Sequence, residues 1–171
     1  IGDIKTISEV EGVTAAAPIA ISTNTIASDK NTFSSVPVLG TNLDFINIEP
    51  IPLQHGSFLT EQNKAHSVVL GHSLSLALFN TINSTVGQMV TIMGEKFMVV
   101  GVLSEVDKSI NFDNVDFDNT LIIDIESLDK ITGSTQIQQI NIKAANIESL
   151  ATISDEIQTT LAAQKLGDQN F

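Results

Sequence analysis

Behind Asp3, a suitable N-cap, Ile4, Ile7 and Val10 recur at helical spacing, and Gly12 suits the left-handed position that closes a helix. The chain is therefore predicted to open with a short helix. At Val13 the period drops to two: Val13, Ala15, Ala17, Ile19 and Ile21 fall on one face of a strand that should run to about Ala27. Asp29, Lys30 and Asn31 form a turn, and a second strand is expected over 32–40, with Pro37 marking an edge or a bulge. Residues 42–60 carry no long period and are broken by Pro50, Pro52 and Gly56, which places a lobe boundary there. A short apolar strand follows over 67–70, and Leu74 and Leu78 predict a helix over 73–80. Residues 88–93 and 96–103 read as a β-hairpin whose central Gly94-Glu95 fits a type II′ turn.

The stretch 104–119 is polar and rich in Asp and Asn, yet carries Ile110, Phe112, Val115 and Phe117; it reads as a long loop bearing apolar residues. Beyond it the pattern predicts a strand over 120–124, a helix over 125–132 closed by Gly133, and a strand over 136–144. A final helix should start from Asn146 as N-cap and run to Leu166, with Ile147, Leu150, Ile153, Ile157 and Leu161 as its apolar stripe and Gly167 as its end. This order belongs to the α+β class. Residues 1–48 and 125–171 are assigned to one lobe, because the end helices and their strands each need a partner sheet. Residues 49–124 form an inserted, β-rich second lobe.

Charge narrows the range of partners. Twenty acidic residues stand against eight lysines, no arginine occurs, and the formal charge is −12. Such a surface lacks the cations that phosphate contacts need, so nucleic acid and anionic lipid headgroups are not expected partners. Absence of cysteine removes disulfides, thiolate metal sites and a Cys nucleophile. The chain starts with Ile and has no run apolar enough to span a bilayer, so it reads as an excised or processed segment.

No set of residues composes a catalytic centre, and no cofactor is expected. Gly71-His72-Ser73-Leu74-Ser75 lies between a predicted strand and helix, as a nucleophile elbow does, but Ser75 stands where the tight turn wants Gly. All three histidines, His55, His66 and His72, precede Ser73, against the chain order of that triad; Ser73 is instead expected to cap its helix. The histidine spacing fits no zinc motif, and Asp107, Asp113, Asp116 and Asp118 lack the Gly and Glu of a calcium loop. No phosphate-binding Gly-rich loop is present, so any ATPase lies elsewhere. Phe112, Val115 and Phe117 are the candidate partner contacts; the alternative for the two phenylalanines is that they cover the core.

Several stretches taken in order are similar to a known family. Val10-Glu11-Gly12-Val13 with Pro18, Val38-Leu39-Gly40-Thr41 with Phe45, and Gly56-Ser57-Phe58 come first. Ser67-Val68-Val69-Leu70-Gly71, Leu78-Phe79, Val86-Gly87-Gln88 and residues 97–103 follow. Together they resemble the periplasmic core domain of MacB-type ABC transporter permeases over almost the entire chain. One departure stands at residues 121–125, where many relatives carry Pro and an aromatic. The resemblance implies an extracytoplasmic domain with a porter-like lobe from both chain ends and an inserted lobe called Sabre. It further implies membrane helices of a parent permease, a cytoplasmic ATPase whose motion is transmitted, and, in some members, a membrane-fusion protein. The parent is implied to be a homodimer; the isolated domain, lacking much of that contact area, is compatible with a monomer. A free-standing extracytoplasmic binding module is the alternative.

Overall fold

The computed structural model describes residues 2–106 and 115–168. Its elements in chain order are α1 (Gly2–Ser8), β1 (Val13–Ala27), β2 (Thr32–Thr41), α2 (Phe45–Ile48) and β3 (Leu53–Gly56). Then come β4 (Ser67–Leu70), α3 (His72–Phe79), β5 (Met89–Ile92), β6 (Glu95–Leu103), β7 (Leu121–Asp124), α4 (Ile125–Thr132), β8 (Gln139–Ala144) and α5 (Leu150–Asp168). This is a mixed α+β fold, as the order of patterns predicts.

β1 organises the molecule. Its first half pairs antiparallel with β8 from Val13 to Ile19, and its second half pairs antiparallel with β2 from Ala20 to Ala27. At Ile26 and Ala27 it also pairs with β5. The pairings β1–β2, β2–β7, β7–β4, β4–β6, β6–β5 and β5–β1 close a ring of strands, while among the described residues β8 joins only β1 and β3 joins only β6. Closure leaves those strands few open edges, the usual remedy for exposed backbone donors and acceptors.

Two cores lie on opposite faces of this sheet, assigned by the parity of neighbouring residues. Val38, Val68, Leu70, Leu121 and Ile123 point into the first, with Leu74 and Leu78 of α3 and Leu128 of α4. Leu39, Val69 and Ile122 point into the second, with Phe45, Phe58 and Phe117. Gly40 lets α4 close down, since a Cβ there would sit 2.6 Å from Leu128 Cδ2.

The sheet does not divide where the sequence pattern places the lobe boundary. β2 and β7, assigned to different lobes, are parallel neighbours from Val38↔Leu121 to Thr41↔Asp124, and α4 packs in the first core beside them. Partner choice, which is non-local, decides this. Pro37 lies one residue before the β7 pairing begins, where β2 has a free side and a missing N–H is tolerated.

Other local expectations shift for identifiable reasons. β1 is buried on both faces from Ala15 to Ala20 because α1 and α2 both pack on it, while Ile21 is exposed. The hairpin pairs Ile92 with Glu95, so its central residues are Met93-Gly94, with φ of +50° and +90°. Two positive φ values make a type I′ turn, not II′. α3 begins at His72 with Gly71 as N-cap and no side-chain cap, so Ser73 lies within the first turn. α5 runs on to Asp168 through Gly167, and of its stripe Ile153 is buried while Ile147 and Leu150 are exposed.

Candidate joint and partner surface

The handover in β1 has a specific construction. Backbone N–H and C=O groups of a strand point to alternate edges, so Ala16, Pro18 and Ala20 address the β2 side, and Ile19 and Ile21 the β8 side. β2 reaches only Ala20, opposite Gly40. Beyond it, side chains take over: the Ala16 amide donates to Asp44 Oδ2 at 3.1 Å, and Asn42 Nδ2 donates to the Ala16 carbonyl at 2.8 Å. On the opposite edge, where β8 has ended, the Ile21 amide donates to Gln138 Oε1 at 2.9 Å and Gln138 Nε2 donates to the Ile21 carbonyl at 3.2 Å. Pro18, between these points, has no N–H to leave unpaired. One continuous strand thus passes between two partner sets, with both edges closed by side-chain amides and a carboxylate. Asp44 precedes α2, but its side chain makes no cap bond to it; the carboxylate is committed to β1.

α1 and α5 lie on the β8 side of this joint. Ile153 packs on Gly12, whose hypothetical Cβ would lie 3.0 Å from Ile153 Cδ1. Between the two helices runs an open groove of about 570 Å³ lined by Glu9, Glu11, Asp155, Glu156 and threonines, with no cationic side chain among the described residues of its walls.

Of the predicted partner contacts, Phe112 lies outside the described residues, as do Asp107 and Asp113. Val115 is half-buried against the second core. Phe117 is a correction: only 4% exposed, it stands 6.1 Å from the Phe45 ring, which stacks on Phe58 at 6.1 Å. Of the two readings of that side chain, covering the core is the one that describes it. The reason is a turn that the polar sequence disguises. Asp116 Oδ2 accepts from Asn119 Nδ2 at 2.7 Å, the Asp116 carbonyl accepts from Thr120 Oγ1 at 2.7 Å, and the buried Asp118 carboxylate accepts from the Val106 amide at 3.0 Å. Gly71 donates its amide to the Thr120 carbonyl at 2.9 Å, and a Cβ there would lie 2.1 Å from the Phe117 carbonyl oxygen.

The remaining polar candidates stay apart. His72 Nδ1 contacts Gln54 Oε1 at 2.9 Å, and His66 is exposed. His55 Nε2 and Thr41 Oγ1 are buried without a hydrogen-bond partner among the described residues. Asp124 caps α4 by accepting from the Glu126 amide at 3.2 Å; burial pushes its carboxyl above the ordinary range, with nearby Lys64 opposing. Sequence reasoning missed the joint, although Pro18 inside a 15-residue strand was the available signal. A central proline marks a place where one edge has no ladder to serve.

The sequence profile described as MacB-like periplasmic core domain matches residues 1–160. The chain is 27% identical over 169 residues to the macrolide export ATP-binding/permease protein MacB of Aggregatibacter actinomycetemcomitans, covering 97% of this chain and 24% of that protein. It is 28% identical over 136 residues to the pyoverdine export ATP-binding/permease protein PvdT of Pseudomonas syringae pv. syringae, covering 77% of this chain and 20% of that protein. The chain therefore spans about a quarter or less of the length of these relatives. In fold it is similar to the crystal structure of the periplasmic region of MacB from Actinobacillus actinomycetemcomitans. That match has a TM-score of 0.79 at 23% identity, covering 95% of this chain and 72% of the other.

Proposed function

This chain belongs to the MacB-like periplasmic core domain family, the extracytoplasmic part of MacB-type ABC transporter permeases, and we propose that it transmits ATP-driven motion within such a permease. The observation that carries this is the joint in β1. A porter-like lobe of α1, the first half of β1, β8 and α5 connects to a Sabre-like lobe of the ring strands through β1, held on both edges by side chains, and beside it through α2, whose Asn47 carbonyl accepts from Lys143 Nζ of β8 at 3.0 Å. A displacement of α1 and α5 reaches the ring through that strand and the β8–α2 contact. α1 and α5 also touch, an arrangement suited to adjacent membrane helices of the parent. Partner proteins or substrate meet the ring lobe, and the ATPase stands on the other side of the membrane.

The full-length permease with its ATPase, in membranes, provides the test. Spin labels at T159C on α5 and E95C on the hairpin, on a domain that has no native cysteine, report the lobe-to-lobe distance. The distribution is expected to shift between the nucleotide-free and the ATP-trapped states. An unmoved distribution in a protein that still hydrolyses ATP would overturn transmission. An impermeant maleimide that reaches S34C only after the inner membrane is opened would overturn the location. Recovery of the native protein without any membrane part would favour a free-standing binding module.

A further inference from the structure

All three methionines of the chain fall within ten residues of one another, at positions 89, 93 and 98. All three are exposed, at 45%, 54% and 45%, although methionine is among the residue types most often buried. All three sit on the β5–β6 hairpin, and Met89 is the direct cross-strand partner of Met98. The closing pair Ile92↔Glu95 of a two-residue turn is hydrogen-bonded, and alternation makes Met89↔Met98 a non-hydrogen-bonded pair. In such pairs the Cβ atoms approach to about 4.5–5.5 Å and the side chains leave the sheet on the same face. Neighbouring Val90 and Phe97 are buried, so the two thioether arms point outward, away from the first core.

We propose that Met89 and Met98 form a thioether site for a soft monovalent cation, Cu(I), for which Ag(I) is a redox-inert probe. Thioether sulfur is a soft donor that selects Cu(I) over Mg(II), Ca(II) or Mn(II). Two such donors on adjacent strands are held close by the ladder before any ion arrives. The chain has no thiolate to compete, and its net charge of −12 favours cation approach. Thioethers carry no proton to lose, so binding is independent of pH between about 5 and 8, unlike capture by imidazole or thiolate. Met93 does not take part: it lies four strand positions from Met89, roughly 13 Å along the strand. It serves as the internal control. This inference stands apart from the transmission reading.

The experiment is a titration of the chain, labelled with ¹³C at the methionine methyls, with silver nitrate in chloride-free buffer. The Met89 and Met98 signals should shift together along one isotherm that saturates at one equivalent, with the Met93 signal unmoved over that range. M98L, nearly isosteric, should weaken the Met89 response by at least about tenfold, because one arm of a two-point attachment is gone. M93L should leave both responses unchanged. Three independent and equal responses, no response at millimolar Ag(I), or a midpoint that follows imidazole titration would each overturn the site. Unchanged methyl signals from the core in every variant establish that the fold is intact.

Discussion

Replacing Asp44 by Ala removes the acceptor of the Ala16 amide at the joint. Ala16 is 0% exposed, so water does not take the carboxylate's place without local opening. The bond is charge-assisted, at 3.1 Å, and such bonds contribute about 1.5–3 kcal/mol net. Asp44 makes no helix-cap bond with its side chain, so no second role inflates the loss. D44A is therefore expected to lower stability by about 1.5–3 kcal/mol, a Tm fall of roughly 3–12 °C for a chain of this size. D44N keeps a neutral acceptor and should show about half the loss. N42A leaves the Ala16 carbonyl unpaired, and because both side chains serve one residue, the double variant should depart from additivity by about 0.5–3 kcal/mol. Urea denaturation measures the change, with an unaltered slope indicating that both end states are retained. Amide exchange locates it: the Ala16 amide should lose protection more than that of Ala20. Stability within about 0.5 kcal/mol of the parent, a typical surface effect, would refute the reasoning.

Further perturbations test other parts of the fold. G71A places a methyl against the Phe117 and Asp118 carbonyls, at 2.1 and 2.5 Å. Its φ of −64° suits alanine, so a variant as stable as the parent in thermal melts would contradict that packing, whereas a loss of about 2–4 kcal/mol is expected, the range of core overpacking and a lost buried hydrogen bond. M93N creates the Asn-Gly pair that type I′ turns favour and should raise the urea midpoint by about 0.5–1 kcal/mol equivalent; a lower midpoint would contradict the positive φ at Met93. Asp124 has a folded carboxyl value raised above 3.8, first by burial, with Lys64 and the Glu126 amide opposing and Glu126 and Glu61 reinforcing. The folded state then binds that proton more tightly, so stability is greater at low pH and is lost as pH rises from about 3.8 through the raised value. Urea midpoints across pH should therefore show the parent losing ground to D124N as pH rises; the opposite slope would reject the assignment. I153A removes the one buried side chain among those described on α5 and should speed amide exchange along residues 150–163 before it changes the exchange of the ring strands.

Local chemistry determined much of this protein from the sequence alone. β1 spans the residues its period and the flanking Gly12 and Asp29-Lys30-Asn31 turn prescribe, α4 ends at Gly133 with φ +76°, and Asn146 caps the final helical segment through the Ser149 amide at 2.9 Å. The ordered Gly and strand motifs carried the family resemblance, and two of their glycines sit at close approaches: Gly40 against the Leu128 side chain and Gly71 against the Phe117 carbonyl. Periodicity states that a face is apolar but not what covers it. Val13 to Ile19 and Ala20 to Ala27 read as one strand, yet they choose partners that lie about a hundred residues apart in the chain, and that choice set the handover in β1. Phe117 reads as a loop residue until the Asp116 turn and the Asp118–Val106 bond carry it into the second core. The stripe of α5 reads as buried, but Ile153 alone is buried, against Gly12, while Ile157 and Leu161 are half-buried and Ile147 and Leu150 exposed. In each case the deciding term is a contact between residues distant in sequence, where the gain of burial must exceed the entropy of closing a long loop, and no local pattern encodes that balance.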